Sequence, residues 1–302
     1  MKRHLSIKGT VRELINKADG SDNVRDNEDK IKTGLFELDY KTDGVRRGEC
    51  ILLAGVGGIG KTALALEIIK NNCSMGRKAV WFSNMSKKLI TRHLLSMKSG
   101  IIVPRINRSL KPKDRNELKV AAREISEYSF EIDDTTCMNL DLIRKKCRKI
   151  KRGCGLDIVV IDYLQDVSIA RRKWFQPHGS NYAYICKVLK EMAKNLDVCI
   201  LIISSLPWRR IEYRINKRPL LSDLEKYGPI QGYMDDILLI YRDIFYHKDG
   251  KKNTAEVIVA KSSRGQPTGI VELCTDEYLS RFYSPLEGFM PIPDLSDGLP
   301  FC

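Results

Sequence analysis

The sequence predicts an α/β fold in which a mainly parallel central sheet is flanked by helices, and three observations carry that expectation. Short apolar runs at residues 51–54, 79–82, 129–132, 156–161, 198–203, 237–240 and 256–260 have strand length, and helical stretches separate several of them. Strands that alternate with helices pair in parallel and are buried on both faces, so they read as continuous apolar runs. Residues 55–62 also fit the pattern Gly-x4-Gly-Lys-Ser/Thr without a gap. That pattern lies between the first apolar run and a segment whose Leu64, Ile68 and Ile69 have helical spacing, which is the strand–loop–helix setting it requires.

From the amino terminus, residues 1–32 are polar and charged, yet Thr10-Val11-Arg12-Glu13 makes a capping box. Val11, Leu14, Ile15 and Ala18 then form one apolar face of a short helix ending near Gly20. This linker helix and the flexible linker after it have little to bury against locally, so docking on the main domain or on a neighbouring subunit is expected. Residues 33–283 read as one compact unit. Residues 284–302, with Pro285 and three further prolines, are expected to be an extended or disordered tail.

The phosphate-binding pattern has a physical rationale. Gly55, Gly57, Gly58 and Gly60 let the backbone turn its N–H groups inward and approach a phosphate closely. Lys61 would reach the β and γ phosphates, Thr62 would hold Mg²⁺, and the helix start at Lys61, Thr62 and Ala63 adds favourable partial charge. The run at 156–161 ends in Asp162, and an acid at the carboxyl end of such a strand lies beside the phosphate loop and can coordinate Mg²⁺. The bland alternatives are a glycine-rich turn with a chance lysine and a plain helix cap at Asp162.

Composition limits the remaining classes. Lys and Arg number 52 against 38 Asp and Glu, giving a net charge of +14 and favouring a polyanionic partner, nucleic acid first. The nine cysteines are scattered without Cys-x-x-Cys pairs, which argues against a zinc site or disulfide framework; the apolar neighbours of Cys50, Cys186 and Cys199 fit buried, reduced thiols. No leader-like apolar core and no run of membrane-spanning length is visible, so a cytoplasmic protein without membrane contact is expected.

Ile161-Asp162-Tyr163-Leu164-Gln165 resembles the signature of the DnaB-type replicative DNA helicases of helicase superfamily 4. Thr33-Gly34 through Leu38-Asp39, Ile132-Asp133-Asp134, Lys217-Arg218-Pro219 with Ser222-Asp223-Leu224, Ile240-Tyr241-Arg242-Asp243, and Arg264 before Pro267-Thr268-Gly269 agree in order and spacing. The resemblance covers about residues 33–283, the family's C-terminal motor, and implies a RecA-like P-loop NTPase. No counterpart of the family's N-terminal domain, which binds primase, is found, and the helix at 10–18 resembles the linker helix that docks on the adjacent subunit. A homo-hexameric ring is implied, with ATP and Mg²⁺ between neighbours, single-stranded DNA in the channel, and loader or replisome proteins as further partners in DNA replication. Lys61, Asp162 and Arg264 are then the catalytic set, with Arg264 matching the arginine finger that reaches the next subunit's nucleotide. The family's companion lysine would fall at Ser262, whereas Lys261 stands one position away.

The pattern also breaks. The family's catalytic glutamate ends the second strand, but Trp81-Phe82-Ser83-Asn84-Met85-Ser86 is shorter and offers Asn84 or nothing, and an amide cannot accept the water's proton. Glu67 and Glu37 are acids that sequence alone does not bring to the γ-phosphate. Ser205 replaces the γ-phosphate-sensing glutamine. The DNA-facing loop reads Asp223-Leu224-Glu225-Lys226-Tyr227-Gly228, leaving Lys226 and the Gly228 backbone as contacts. Arg209, Arg210, Arg214, Lys217 and Arg218 make the preceding segment basic, and Trp208 and Tyr213 among them suit base stacking. The basic run at 145–152 reads as an exposed helix face. Two functions stay open: an ATP-driven helicase, and a hydrolysis-deficient ATP-binding protein that binds DNA or another helicase.

Overall fold

The computed structural model describes residues 30–106, 109–136, 138–169, 180–276, 278–279 and 281–285. The expected helix at 10–18 and most of the expected tail lie outside these residues.

The chain runs β1 (Lys30–Ile31), α1 (Phe36–Thr42), β2 (Val45–Arg46), β3 (Cys50–Gly55), α2 (Lys61–Ser74), β4 (Ala79–Ser83), α3 (Lys87–Ser99), α4 (Val103–Ile106), α5 (Pro112–Ser126) and β5 (Phe130–Asp133). It continues through β6 (Met138–Asn139), α6 (Leu140–Gly153), β7 (Ile158–Asp162), a 3-10 turn at Leu164–Asp166, β8 (Val167–Ser168), α7 (Ser180–Leu196), β9 (Cys199–Ser205) and α8 (Trp208–Glu212). Two 3-10 turns, Leu221–Tyr227 and Ile230–Tyr233, lead to β10 (Asp236–Tyr241), α9 (Asp243–Tyr246), β11 (Thr254–Ser262), β12 (Gly269–Thr275) and β13 (Phe282–Tyr283).

Nine strands form one sheet in the order β13-β12-β11-β10-β3-β9-β7-β4-β5. The six from β10 to β5 are parallel. Those with the most continuous apolar sequence are buried throughout, as in Cys50–Gly55 and Ile158–Asp162, which is what two covering layers of helices demand. Beyond β10 the pairing turns antiparallel. In β11, Ala255, Val257 and Val259 face inward between half-exposed neighbours. That period-2 alternation marks a sheet wing with one wet face. The short strands β1, β2, β6, β8 and β13, and all of β12, go beyond the runs expected from sequence.

Local capping explains several boundaries. The Asp39 carboxylate accepts the backbone N–H of Thr33 at 2.6 Å and of Gly34 at 3.0 Å, so the Thr-Gly-x4-Asp stretch at the domain entry closes its own turn. Asn72, fully buried, donates to Lys32 O and Ile68 O, both at 2.8 Å, and ties that entry to α2. Asn139 caps α6 by accepting from Asp141 N at 3.0 Å.

The antiparallel wing is fastened to the parallel core by Arg264. Its guanidinium donates to Glu49 Oε2 at 2.5 Å, to Thr42 O at 3.2 Å, and to the Asp236 carboxylate. Burial pushes the Asp236 and Glu49 carboxyls up while Arg264 pulls them down. Removing one partner of such a cluster leaves uncompensated charge. Arg264→Ala should therefore lower stability by about 3 kcal/mol and the Tm by about 10 °C, checked by thermal unfolding with Lys251→Ala, which breaks an exposed ion pair, as the comparison.

Candidate active site

At the carboxyl end of β3 the chain turns through Val56–Gly60 and enters α2 at Lys61. Gly58 and Gly60 adopt φ of 76° and 108°, the left-handed region that side chains disfavour, and a Cβ on Gly60 would sit 3.1 Å from the Phe282 ring. A Cβ on Gly55 would meet Ile59 at 2.9 Å, whereas one on Gly57 would meet nothing within 4 Å. Gly57 thus faces open space, where a ligand can come close to the backbone.

Three of the expected side chains converge here. Thr62 Oγ1 donates to Asp162 Oδ2 at 3.4 Å and shares a 3.2 Å hydrogen bond with the Tyr163 hydroxyl. Lys61, almost fully buried, donates to Val56 O at 2.7 Å and lies 5.5 Å over the Tyr163 ring. Burial brings the Lys61 ammonium down to about 8, against the pull of Asp162. Burial likewise raises the Asp162 carboxyl to about 7, opposed by Lys61, Thr62 and Ser83. Asp162 has no exposed surface, and its Oδ1 makes no hydrogen bond. An orphaned carboxylate oxygen beside a threonine hydroxyl fits a hard divalent cation such as Mg²⁺, which takes oxygen ligands and tolerates few of them from protein. Among the described residues no cluster of His, Cys, Asp and Glu offers a competing metal site.

The cleft in front of these groups has a volume of about 220 Å³. Gly58, Gly60, Lys61, Thr62 and Ala63 form its floor, and Met85, His93, Tyr163, Tyr278 and Leu279 its walls. Of these walls only Tyr163 belongs to a motif; His93, Tyr278 and Leu279 come from α3 and the β12–β13 connection and carry no local signal in the sequence. Gln165 explains its place in the signature, because it donates to Ser204 Oγ at 2.8 Å and accepts from Ser205 N at 3.2 Å, locking the exit of β7 to the end of β9. Ser205 pairs in register with Gly55, so it stands next to the loop as expected.

Among the described residues no carboxylate lines the cleft, and Asp162 is the acid bonded to the threonine of the loop. Asn84 is exposed just beyond β4. Glu67 is buried on α2, paired with Lys70 and accepting the backbone N–H of Phe282. Glu37 lies on α1, away from the cleft-lining residues. Arg264 sits at the amino ends of β3 and β10, whereas the phosphate loop follows the carboxyl end of β3. A six-residue strand spans about 20 Å, so this arginine does not meet its own chain's loop.

The basic segment is only partly available. Arg209 and Arg210 are exposed on α8, Arg210 donating to Ser222 O at 3.3 Å. Arg214 pairs with Asp223, one of its bonds measuring 3.0 Å, and Lys217 donates to Glu212 O. Arg218 holds Glu256 through two bonds of 2.6 and 2.5 Å and stacks 4.6 Å from the Tyr241 ring. Trp208 stacks on Tyr246 at 5.4 Å, which takes one of its faces, while Tyr213 is 84% exposed. Lys226 is exposed over Tyr227, and Gly228 has φ of 74°. Lys261 donates to Gln231 O and Met234 O, both at 2.7 Å, and so anchors the turn before β10.

Protonation and cation binding compete for the Asp162 carboxylate. Apparent Mg²⁺ affinity in the presence of a fluorescent ATP analogue should fall by about tenfold per pH unit below about 7 and level off above it. Asp162→Asn should flatten that profile, and an unchanged profile would place the cation elsewhere.

The chain matches the family model described as DnaB-like helicase C terminal domain over residues 30–284. It is 34% identical over 256 residues to the replicative DNA helicase DnaB of Geobacillus stearothermophilus, covering 83% of this chain and 56% of that protein. It is 32% identical to the replicative DNA helicase DnaC of Bacillus subtilis, with the same coverage. The chain thus spans just over half the length of these curated relatives. Among solved structures, an ATPase domain superposes with a TM-score of 0.84 at 31% identity, over 93% of this chain and 99% of that one. A DnaB-like replicative helicase, solved in connection with its interactions with primase, gives 0.84 and 31% over 92% and 68%. With its phosphate loop, Asp162 and sheet order in place, the chain belongs to the DnaB-like helicase C-terminal domain family.

Proposed function

We propose that this chain is the motor of an ATP-dependent DNA helicase of DnaB type, acting in DNA replication in the cytoplasm and moving along single-stranded DNA as a ring of identical copies. The observation that carries the reading is the meeting of Lys61, Thr62 and Asp162 at the phosphate loop, with Lys61 and Thr62 lining the cleft and Asp162 bonded to Thr62, in a chain from this family. Lys61 releases Val56 O to take the β and γ phosphates, with N–H groups of Gly57, Gly58 and Gly60 around them. Thr62 and Asp162 would hold Mg²⁺, and a cation bound there would supply positive charge against the negative charge developing in phosphoryl transfer. Ser205 contributes a polar contact beside the loop.

Ring formation has a structural motive. Arg264 is about a strand's length from its own loop, so a finger role requires a second copy to bring it to the nucleotide. Its guanidinium is engaged by Glu49 and Asp236, so reaching a neighbour's γ-phosphate means loosening at least one of these pairs. Arg209, Arg210 and Lys226, exposed on adjacent segments, are the side chains freest to meet a DNA backbone, with Lys217 and Arg218 shaping the loop behind them. Loader or replisome proteins are the further partners of this reading.

A second reading is favoured by one observation: among the described residues no carboxylate besides Asp162 stands at the phosphate loop. In that reading the chain binds ATP and DNA, or an active helicase, without turnover. ATP hydrolysis by the purified chain, with and without single-stranded DNA, separates the two. DNA-stimulated turnover at least about tenfold above Lys61→Ala supports the motor, since losing a phosphate-binding lysine or a general base costs about 10²–10⁴ in rate. Turnover equal to that of Lys61→Ala, with ATP-dependent DNA binding retained, establishes the second reading.

The paired variant Arg209→Ala/Arg210→Ala should weaken binding to all single-stranded sequences alike. For every DNA phosphate that the variant no longer neutralises, the slope of log affinity against log salt should become shallower by about 0.7. An unchanged slope in a fluorescence anisotropy titration removes α8 from the DNA path.

A further inference from the structure

The phosphate cleft lacks a carboxylate, yet one of its walls carries another kind of proton acceptor. Asn84, at the sequence position of the family's glutamate, is exposed beyond β4 and does not line the cleft. Met85 does line it, and so does His93, further along on α3. Ile90, Leu94 and Met97 form the buried side of α3. His93 lies three residues after Ile90 and four before Met97, so helical spacing puts it on that same side. From there it borders a cleft whose floor is the start of α2, at Lys61 and Thr62.

The other polar side chains of the cleft are unsuited to take a proton from water. Lys61 is largely an ammonium at neutral pH, since burial brings it down only to about 8. The Thr62 hydroxyl is engaged with Asp162 and Tyr163. Tyr163 brings a phenol, a group that keeps its proton at neutral pH, and burial raises it further; Tyr278 brings the same kind of hydroxyl. His93 differs from all of these. It is half-buried, forms no hydrogen bond or ion pair among the described residues, and both of its ring nitrogens keep accessible surface. Burial also lowers the imidazole below the usual histidine value, so at neutral pH it is uncharged, with one N–H and one bare nitrogen.

We infer that His93 is the general base for ATP hydrolysis in this chain, taking the place of the family's glutamate. The role rests on the motor reading above, and it gives that motor a proton acceptor where no carboxylate lines the cleft. In a cleft of about 220 Å³ a γ-phosphate held at Lys61 and the water that attacks it share their walls with His93. The water oxygen bonds to the γ-phosphorus while the bond from that phosphorus to the β–γ bridging oxygen breaks, and the bridging oxygen leaves with ADP, keeping the electron pair. One proton of the water passes to the bare ring nitrogen of His93, and the other stays on the phosphate. The imidazolium then gives its proton to solvent. Each ATP and water thus yield ADP, inorganic phosphate and one proton. The charge that His93 gains is positive and arises beside negative charge developing on the phosphoryl oxygens, whereas a carboxylate base would become neutral.

Asp162 titrates near 7, so a pH profile would mix its cation binding with the protonation of His93; added imidazole separates the two. Phosphate release in the presence of single-stranded DNA is measured for the full chain and for His93→Ala and His93→Gln, with binding of a fluorescent ATP analogue as the check on the site. Both variants should lose at least about 100-fold in kcat and keep analogue affinity within about twofold. Free imidazole should raise the turnover of His93→Ala at least tenfold, while leaving His93→Gln, whose side chain fills the space, and Lys61→Ala unchanged. Turnover of either variant within about threefold of the unsubstituted chain overturns the role of His93 and leaves the motor standing. A loss of turnover accompanied by loss of analogue binding, or one that imidazole does not relieve in His93→Ala, makes the residue structural and also overturns it. Absence of turnover in the unsubstituted chain removes the motor and the base together.

Discussion

A carboxylate without exposed surface, set near an almost fully buried ammonium at the carboxyl end of a parallel sheet, is the constraint on which the rest of this structure depends. Asp162 and Lys61 are both pushed by desolvation toward their neutral forms, and each is the main charge holding the other ionised. Lys61 finds a carbonyl in its own loop; one oxygen of Asp162 finds nothing. Leaving such a group unsatisfied costs about 1–3 kcal/mol or more, so it persists only where the surrounding packing dictates it. Here β7 lies between β9 and β4, with every residue from Ile158 to Asp162 buried, and Gln165 pins the exit of the strand to β9. The Asp162 carboxylate beside Thr62 is positioned by the sheet rather than by a flexible loop.

That dependence explains why much of the fold was legible in the sequence. Strands buried on both faces leave continuous apolar runs, and the runs ending at Ala54, Ile161 and Ile203 mark β3, β7 and β9, the three strands that carry the phosphate loop, Asp162 and Ser205. Residues needed for backbone geometry, such as Gly58 and Gly60, are equally visible because their φ values exclude other side chains. The antiparallel wing was less visible. Gly269–Thr275 keeps only alternate residues buried, Val271, Leu273 and Thr275, so it lacks the long apolar run that marks a central strand. The cleft walls were invisible for another reason: His93, Tyr278 and Leu279 meet Lys61 only because α3 and the β12–β13 connection fold over it, a tertiary fact without local spacing.

Arg264 shows where motif reading and structure give different information. Spacing to Pro267-Thr268-Gly269 marks the residue as special, but nothing local reveals that Glu49 and Asp236, 215 and 28 residues away, converge on it. In the proposed ring, the same guanidinium that holds the antiparallel wing against α1 and β3 is the group a second copy would present to a nucleotide. Any movement toward that nucleotide also loosens the wing, which contains the Phe282 ring packed near Gly60. In that proposed ring, closure of a site between copies and the rigidity of each copy's own phosphate loop would be linked through one side chain and the strands it fastens.

The positive charge, finally, is distributed by use rather than spread evenly. In the segment from Arg209 to Arg218 two of the four arginines are neutralised by Asp223 and Glu256, so those guanidinia stiffen the loop and only Arg209 and Arg210 project outward. On α6 the balance is reversed: among the described residues Arg144 and Lys146 are paired, whereas Lys145, Arg148, Lys149 and Arg152 are exposed without an ion pair. Exposed cations on one helix repel one another at i,i+3 and i,i+4 spacing, an expense of a few tenths of a kcal/mol per pair that solvent only partly screens. The ordering of charges among the described residues therefore separates a loop stiffened by its own ion pairs from a helix face whose cations are left to solvent, although both segments are strongly basic in sequence.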